Sequence, residues 1–228
     1  MLIARVIEFL QNRGIDEGGL AYFYCARSAN EPERADPVEL MRCLVEQMSC
    51  LSEDEPIQTP VVKAYKDRKK EARGRKPEKL GIEECVDVML ELLQLNPVTL
   101  IVDGLDDCNP ARRQDLLDAF QRLITDSDNV VKIFISSRDD HDLVHRLSQT
   151  RNLYIRASDN SGDIESFVTS RVKEAIDKGR ILCGNVPHDL KIIIVETLIG
   201  KAEAMFRLIS LHIQASVILV GSRLERMF

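Results

Sequence analysis

The sequence predicts an α/β protein, with a mostly parallel sheet covered by helices on both faces and a helical C-terminal part. Three observations carry this. Short apolar runs (LAYFYC, VTLIVD, VVKIFISS) alternate with segments whose apolar residues recur at helical spacing. The runs are continuously apolar rather than alternating, as strands buried on both faces must be. Only 5% of residues are aromatic and none is Trp, which leans away from an all-β protein.

The elements follow in order. Leu2, Ile3, Val6, Ile7 and Leu10 mark a first helix, with Gly14 as a natural stop. After Gly18-Gly19, Leu20 to Cys25 is a buried-strand signal. A helix is predicted from about Asp36 to Cys50, with Pro37 in its first turn. Ile82, Val86, Met89, Leu90 and Leu93 line an amphipathic helix closed by Asn96-Pro97. Val98 to Asp103 is a strand. Asn109-Pro110 starts a helix with Leu116, Leu117, Phe120, Leu123 and Ile124 on one face. Val130 to Ser137 is a strand, and Asn152 to Ala157 a shorter one. Three helical patterns follow, facing inward with Ile164, Phe167, Val168 and Val172; with Leu190, Ile193 and Ile194; and with Phe206, Ile209, Ile213 and Val217. The expected organisation is a core over residues 1–158 and a helical extension over 159–228.

Composition narrows the function classes. With 228 residues, 44% of them hydrophobic, the chain can bury a sizeable core. Its net charge of −6 gives no reason to expect a nucleic-acid partner. Between Lys63 and Lys79 lie nine basic and three acidic residues, which read as a solvated surface helix and loop rather than a polyanion-binding patch. The six cysteines form no CxxC pair, a pattern of reduced thiols that predicts a cytoplasmic protein. No segment reads as a signal peptide or membrane anchor.

Chemistry concentrates in LIVDGLDDC, Leu100 to Cys108. An apolar strand ending in Asp103 sets a carboxylate at the sheet edge where ligands of open α/β sheets bind. There Asp103 suits Mg²⁺ held through water, since Mg²⁺ takes one or two carboxylates plus substrate phosphates. Asp106 and Asp107 add carboxylates suited to orienting a hydrolytic water. Some thirty residues on, a second strand ends in Ser136-Ser137-Arg138, bringing a guanidinium fit for a γ-phosphate to the same edge. His141 and His145 share a helical face but lack a third ligand for zinc. Cys108, with no recognisable base nearby, reads as a packing residue.

DGLDDC followed by KIFISSR resembles the Walker B and sensor 1 segments of NACHT-domain signalling NTPases. These belong to the STAND class of P-loop NTPases, and the likeness is strongest to the fungal nephrocystin-3-like N-terminal domains. LAYFYC resembles that family's second core strand. Asp163, Ile164, Phe167 and Val168 resemble its DI-x-x-[FY]-V helix, and GKAEAMFRLISLHI its last helix. The family's pair of acids usually ends in Glu, where this chain has Asp107. The resemblance implies a P-loop-NTPase-type sheet and a nucleotide site: Asp103 with Mg²⁺, Asp106 and Asp107 with water, Arg138 with the γ-phosphate. Complete members would bind Mg-ATP or Mg-GTP and hydrolyse it slowly as a switch, partnered by other domains or protomers of a signalling assembly.

One part is missing. A Walker A loop needs Gly-x-x-x-x-Gly-Lys-Ser/Thr, whose backbone N–H groups and Lys cradle the phosphates. The Gly pairs at that spacing, Gly14/Gly19 and Gly179/Gly184, are followed by Leu20 and Asn185, while Gly200-Lys201 has Val195 where the first Gly belongs. The opening helix resembles the one that follows this loop in the family, so a shortened gene or a cut fragment is expected. Such a chain is expected to bind Mg-ATP weakly or not at all, and a non-enzymatic interaction module or inactive gene fragment keeping the fold is the alternative. Without the family's first, central strand, the predicted order is Leu20–Cys25, Val98–Asp103, Val130–Ile135. Asn152–Ala157 is then expected to be displaced or separated by a gap.

Overall fold

A computed structural model describes residues 2–12, 18–50, 56–201 and 210–211. The chain divides into two compact units, Met1–Thr150 and Arg151–Phe228.

The first unit is built on three parallel strands, β1 (Gly19–Tyr24), β2 (Val98–Asp103) and β3 (Val131–Ile135), in the order β1-β2-β3. The order is the one the sequence predicts. Central β2 is buried on both faces, with Leu100, Ile101 and Val102 fully enclosed. Parallel strands need long crossovers, and helices supply them here. Helices α2 (Pro37–Ser49), α4 (Ile82–Leu93) and α5 (Arg113–Asp126) cover one face through Leu40, Met41, Leu44, Met89, Leu116 and Leu123. Helix α1 (Leu2–Gln11) covers the other, where Ile3 and Ile7 meet Ile101. Helix α3 (Thr59–Glu71) lies outside α4, and short α6 (His141–Arg146) follows β3.

Local sequence explains the element ends. The Asp36 carboxylate accepts from the Val38 N–H at 2.9 Å and caps α2, with Pro37 just inside it. At the start of α4 the Glu84 carboxylate accepts from the Gly81 N–H at 2.6 Å. Gly18 is obligatory where the chain enters β1: its φ is +99°, and a Cβ there would lie 2.4 Å from the Pro97 carbonyl oxygen.

Four expectations need correcting. Residues 152–156 form no strand, and Leu153 is 86% exposed: an extended segment becomes a strand only as a rung of a sheet, and the three-stranded sheet among the described residues does not include this one. The helix after Asn109-Pro110 becomes regular only at Arg113; Asn109 instead holds a turn, its Oδ1 accepting from the Ala111 N–H at 3.1 Å. Ile124 is exposed beside Leu123, on the solvent side of the α5 stripe. The fourth concerns α8, in the second unit.

That unit contains α7 (Ser161–Asp177) and α8 (His188–Lys201). Ile164, Val168 and Val172 of α7 pack with Ile194, Val195 and Leu198 of α8, whereas Ile193 points to solvent. The run KIIIVETLI is apolar on nearly all sides, so periodicity alone could not choose its inward face. The inward residues of the third predicted pattern, Phe206, Ile209, Ile213 and Val217, lie outside the described residues, as does most of GKAEAMFRLISLHI. Among the described residues no helix is long and apolar enough to cross a membrane.

Candidate functional site

The parallel register of β2 on β3 pairs Val102 with Ile135, so Asp103 and Ser136 leave the sheet side by side. The Ser136 N–H donates to the Val102 carbonyl at 2.9 Å, and the Leu105 N–H donates to the Ser136 carbonyl at 2.9 Å. The Ser136 hydroxyl donates to Asp103 Oδ1 and accepts from the Gly104 N–H at 3.0 Å. On the other side the Cys25 N–H donates to the Asp103 carbonyl at 2.8 Å, extending the β1 ladder by one rung.

Gly104 turns the chain out of the strand with φ at +73°. A Cβ there would sit 3.3 Å from the Cys25 carbonyl oxygen, so space and backbone conformation both favour glycine. One 3₁₀ turn, Leu105–Asp107, then lifts the two acids over the end of β3.

Arg138 meets them there. Its backbone N–H donates to Asp106 Oδ1 at 3.0 Å, its Nε to Asp106 Oδ2 at 2.6 Å, and its Nη2 to Asp107 Oδ1 at 2.7 Å. Both oxygens of Asp106 are thereby engaged by one residue. The Asp106 side chain is only 9% exposed, whereas that of Arg138 is 76% exposed. Burial alone would raise the Asp106 carboxyl, but the hydrogen bonds and charge of Arg138 outweigh it and hold the group below its usual range. The same bond to Asp106 raises the Arg138 guanidinium.

The structure therefore brings Asp103, Asp106, Asp107 and Arg138 to one sheet edge and pairs Arg138 with the acids. His141 and His145 lie on α6, both exposed.

A second layer holds the acid loop from behind. Arg113, 1% exposed, donates from Nη2 to the Asp106 carbonyl at 2.9 Å and to the Cys108 carbonyl at 3.3 Å. Its Nη1 reaches Asp140 Oδ2 at 3.4 Å, while Nε lacks a hydrogen-bond partner among the described residues. Backbone N–H groups of Leu143 and Asp142, together with Arg113, keep the Asp140 carboxyl below its ordinary range. Arg27 adds a third bond, from Nη2 to the Asp106 carbonyl at 2.9 Å. Sequence reasoning missed both arginines. Arg113 left a readable signal: it stands three residues before Leu116 and seven before Phe120, on the buried stripe of its own helix.

The family model for nephrocystin 3, N-terminal matches residues 1–138. The chain belongs to the nephrocystin 3, N-terminal family. The matched span of this nephrocystin 3 N-terminal domain runs from α1 to Arg138 and takes in all three strands, the acid loop and the clamping guanidinium. Helices α6, α7 and α8 lie beyond it. No curated protein and no solved structure matches the chain.

Proposed function

We propose that this nephrocystin 3 N-terminal domain carries the Walker B and sensor half of a NACHT-type nucleotide switch, and that these residues do not hold a nucleoside triphosphate by themselves. The observation that carries the reading is the engagement of both Asp106 oxygens and one Asp107 oxygen by Arg138. A guanidinium committed to carboxylates is not offered to a γ-phosphate, and carboxylates committed to a guanidinium are not offered to a water.

The residues fit a magnesium nucleotide only in part. Asp103 stands at a strand end, oriented by the Ser136 hydroxyl, as a carboxylate addressing metal-bound water would stand. The sequence contains no Gly-x-x-x-x-Gly-Lys-Ser/Thr to cradle phosphates, and three carboxylates without that cradle repel a polyphosphate. No hydrolytic step is assigned to these residues. In the complete STAND switch of a signalling assembly, Mg-ATP or Mg-GTP would compete with the acids for Arg138. That would free Asp106 and Asp107 to position water.

A second reading, a protein-interaction module without nucleotide chemistry, is favoured by one observation. β3 forms the end of the sheet among the described residues, and Phe134 on it is 42% exposed. Thermal unfolding separates the readings from simple nucleotide binding. A ligand at about 100 times its dissociation constant adds about 2.7 kcal/mol to the folded state, a shift of several degrees for a domain of this size. Millimolar Mg-ATP or Mg-GTP is expected to leave the midpoint unchanged. A rise of several degrees would overturn the proposal.

A further inference from the structure

The fold sorts the basic segment by side. Val61, Ala64 and Arg68 of α3 recur at i, i+3 and i+7 and seat the helix: the first two pack against the core, and Arg68 pairs with Glu84 of α4. Lys66, Lys69 and Arg73, the last just past the end of α3, repeat that spacing on a face turned about 140° around the axis. All three are exposed, as are Arg75 and Lys76 in the turn that follows. Among the described residues no carboxylate pairs with any of these five, whereas Lys63, Lys70 and Lys79 each have one.

This stripe works against the stability of the free helix. Lys66 and Lys70 stand four apart, as do Lys69 and Arg73, and like charges at that spacing repel. The negative pole of α3 favours cations in its last turn, which accounts for Lys69 and Lys70 but not for Lys66, Arg75 or Lys76. Tyr65 stands beside the stripe, 56% exposed, with the Lys69 ammonium 5.9 Å from the centre of its ring. We propose that the outer face of α3 and the turn after it dock an acidic, Asp- and Glu-rich segment of a partner protein.

The charge pattern selects that occupant. Residues Lys63–Lys79 carry six net positive charges in a chain of net charge −6, so the remainder is strongly acidic. The stripe is one helix wide, and Asp67, Glu71 and Glu78 stand exposed along it. A bilayer surface or a nucleic-acid duplex reaches past so narrow a stripe onto those acids, and screening confines the attraction to about 8 Å. An acidic segment lays its carboxylates along the cations alone and relieves their mutual repulsion. Tyr65 offers it an apolar contact and a phenol hydroxyl. The inference does not depend on nucleotide binding.

The test is fluorescence anisotropy of a labelled poly-glutamate peptide of about 12 residues, long enough to span the stripe when extended, titrated with the whole chain. Saturable binding that weakens with added salt is the expected result. Lys66→Glu, Lys69→Glu and Arg73→Glu together should weaken it by about tenfold or more. The same three positions changed to Gln, which removes charge without reversing it, should give a smaller loss in the same direction and stand in if the reversed stripe does not fold. Reversing three exposed cations of the second unit, with Arg151→Glu, Lys173→Glu and Arg180→Glu, should leave binding within about twofold. Equal losses in the stripe and second-unit variants, or no saturable binding to the parent chain, would overturn the proposal. Tighter binding of a thymidine oligonucleotide of matched charge, or of vesicles containing phosphatidylserine, would also overturn it. So would self-association in sedimentation that only the stripe variants abolish, since the face would then belong to a second copy of this chain.

Discussion

At Gly104 the chain takes a left-handed backbone conformation, and a methyl group there would crowd the Cys25 carbonyl oxygen at 3.3 Å. Gly104→Ala should destabilise the first unit by about 1–2 kcal/mol from backbone conformation alone, with crowding against the Cys25 carbonyl adding to that. A urea midpoint equal to that of the parent would show that the loop relaxes freely. Asp106 gives a prediction with a definite sign. Its folded carboxyl is depressed, so the stability it contributes is fully present above the unfolded value of about 4 and is lost as pH falls through the folded value. Comparing the chain with Asp106→Asn isolates this group, because Glu39, Asp140 and Glu174, also depressed, are common to both proteins. The stability gap should be constant near neutrality and close on acidification. A gap that persists unchanged into strong acid would contradict the pairing with Arg138. The positions of Asp103, Asp106, Asp107 and Arg138 were legible in the sequence because strand ends are. The pairing was not, since a guanidinium's direction is a rotamer, fixed by where the 3₁₀ turn lifts the acids.

Among the elements, the strands were read most cleanly, because runs such as VTLIVD have few alternatives at that length. Asn152–Ala157 also carries strand-favouring residues, Leu153, Tyr154 and Ile155, and is no strand, since propensity does not say whether a partner edge is present. α8 failed for a different reason: apolar residues on nearly every side leave the inward face to tertiary packing. The basic segment is an exposed helix and turn, as expected. Arg68 bonds to the carbonyls of Glu78 and Lys79, Lys63 pairs with Glu91, and Lys69 lies over the ring of Tyr65. None of the buried residues lies in α3. Limited trypsin digestion should therefore cut first between Lys63 and Lys79. First cleavage between Asp103 and Arg138 would mean that the acid corner is looser than its hydrogen bonds imply.

At the scale of the molecule, the first unit is a three-stranded parallel sheet with helices on both faces, and its candidate site lies at one end of β2 and β3. The turn after β2 and the segment after β3 leave Asp106, Asp107 and Arg138 bonded to one another. That closure accounts together for the depressed Asp106, the buried Arg113 behind it and the proposal that no triphosphate is held. The measurement that tests this most directly is isothermal titration of Mg-ATP, and separately Mg-GTP, into the whole chain. No saturable heat is the expected result. A single-site isotherm with a dissociation constant in the low-micromolar range would contradict it, because Arg138 and the acids would then have to open for a ligand that lacks a phosphate cradle.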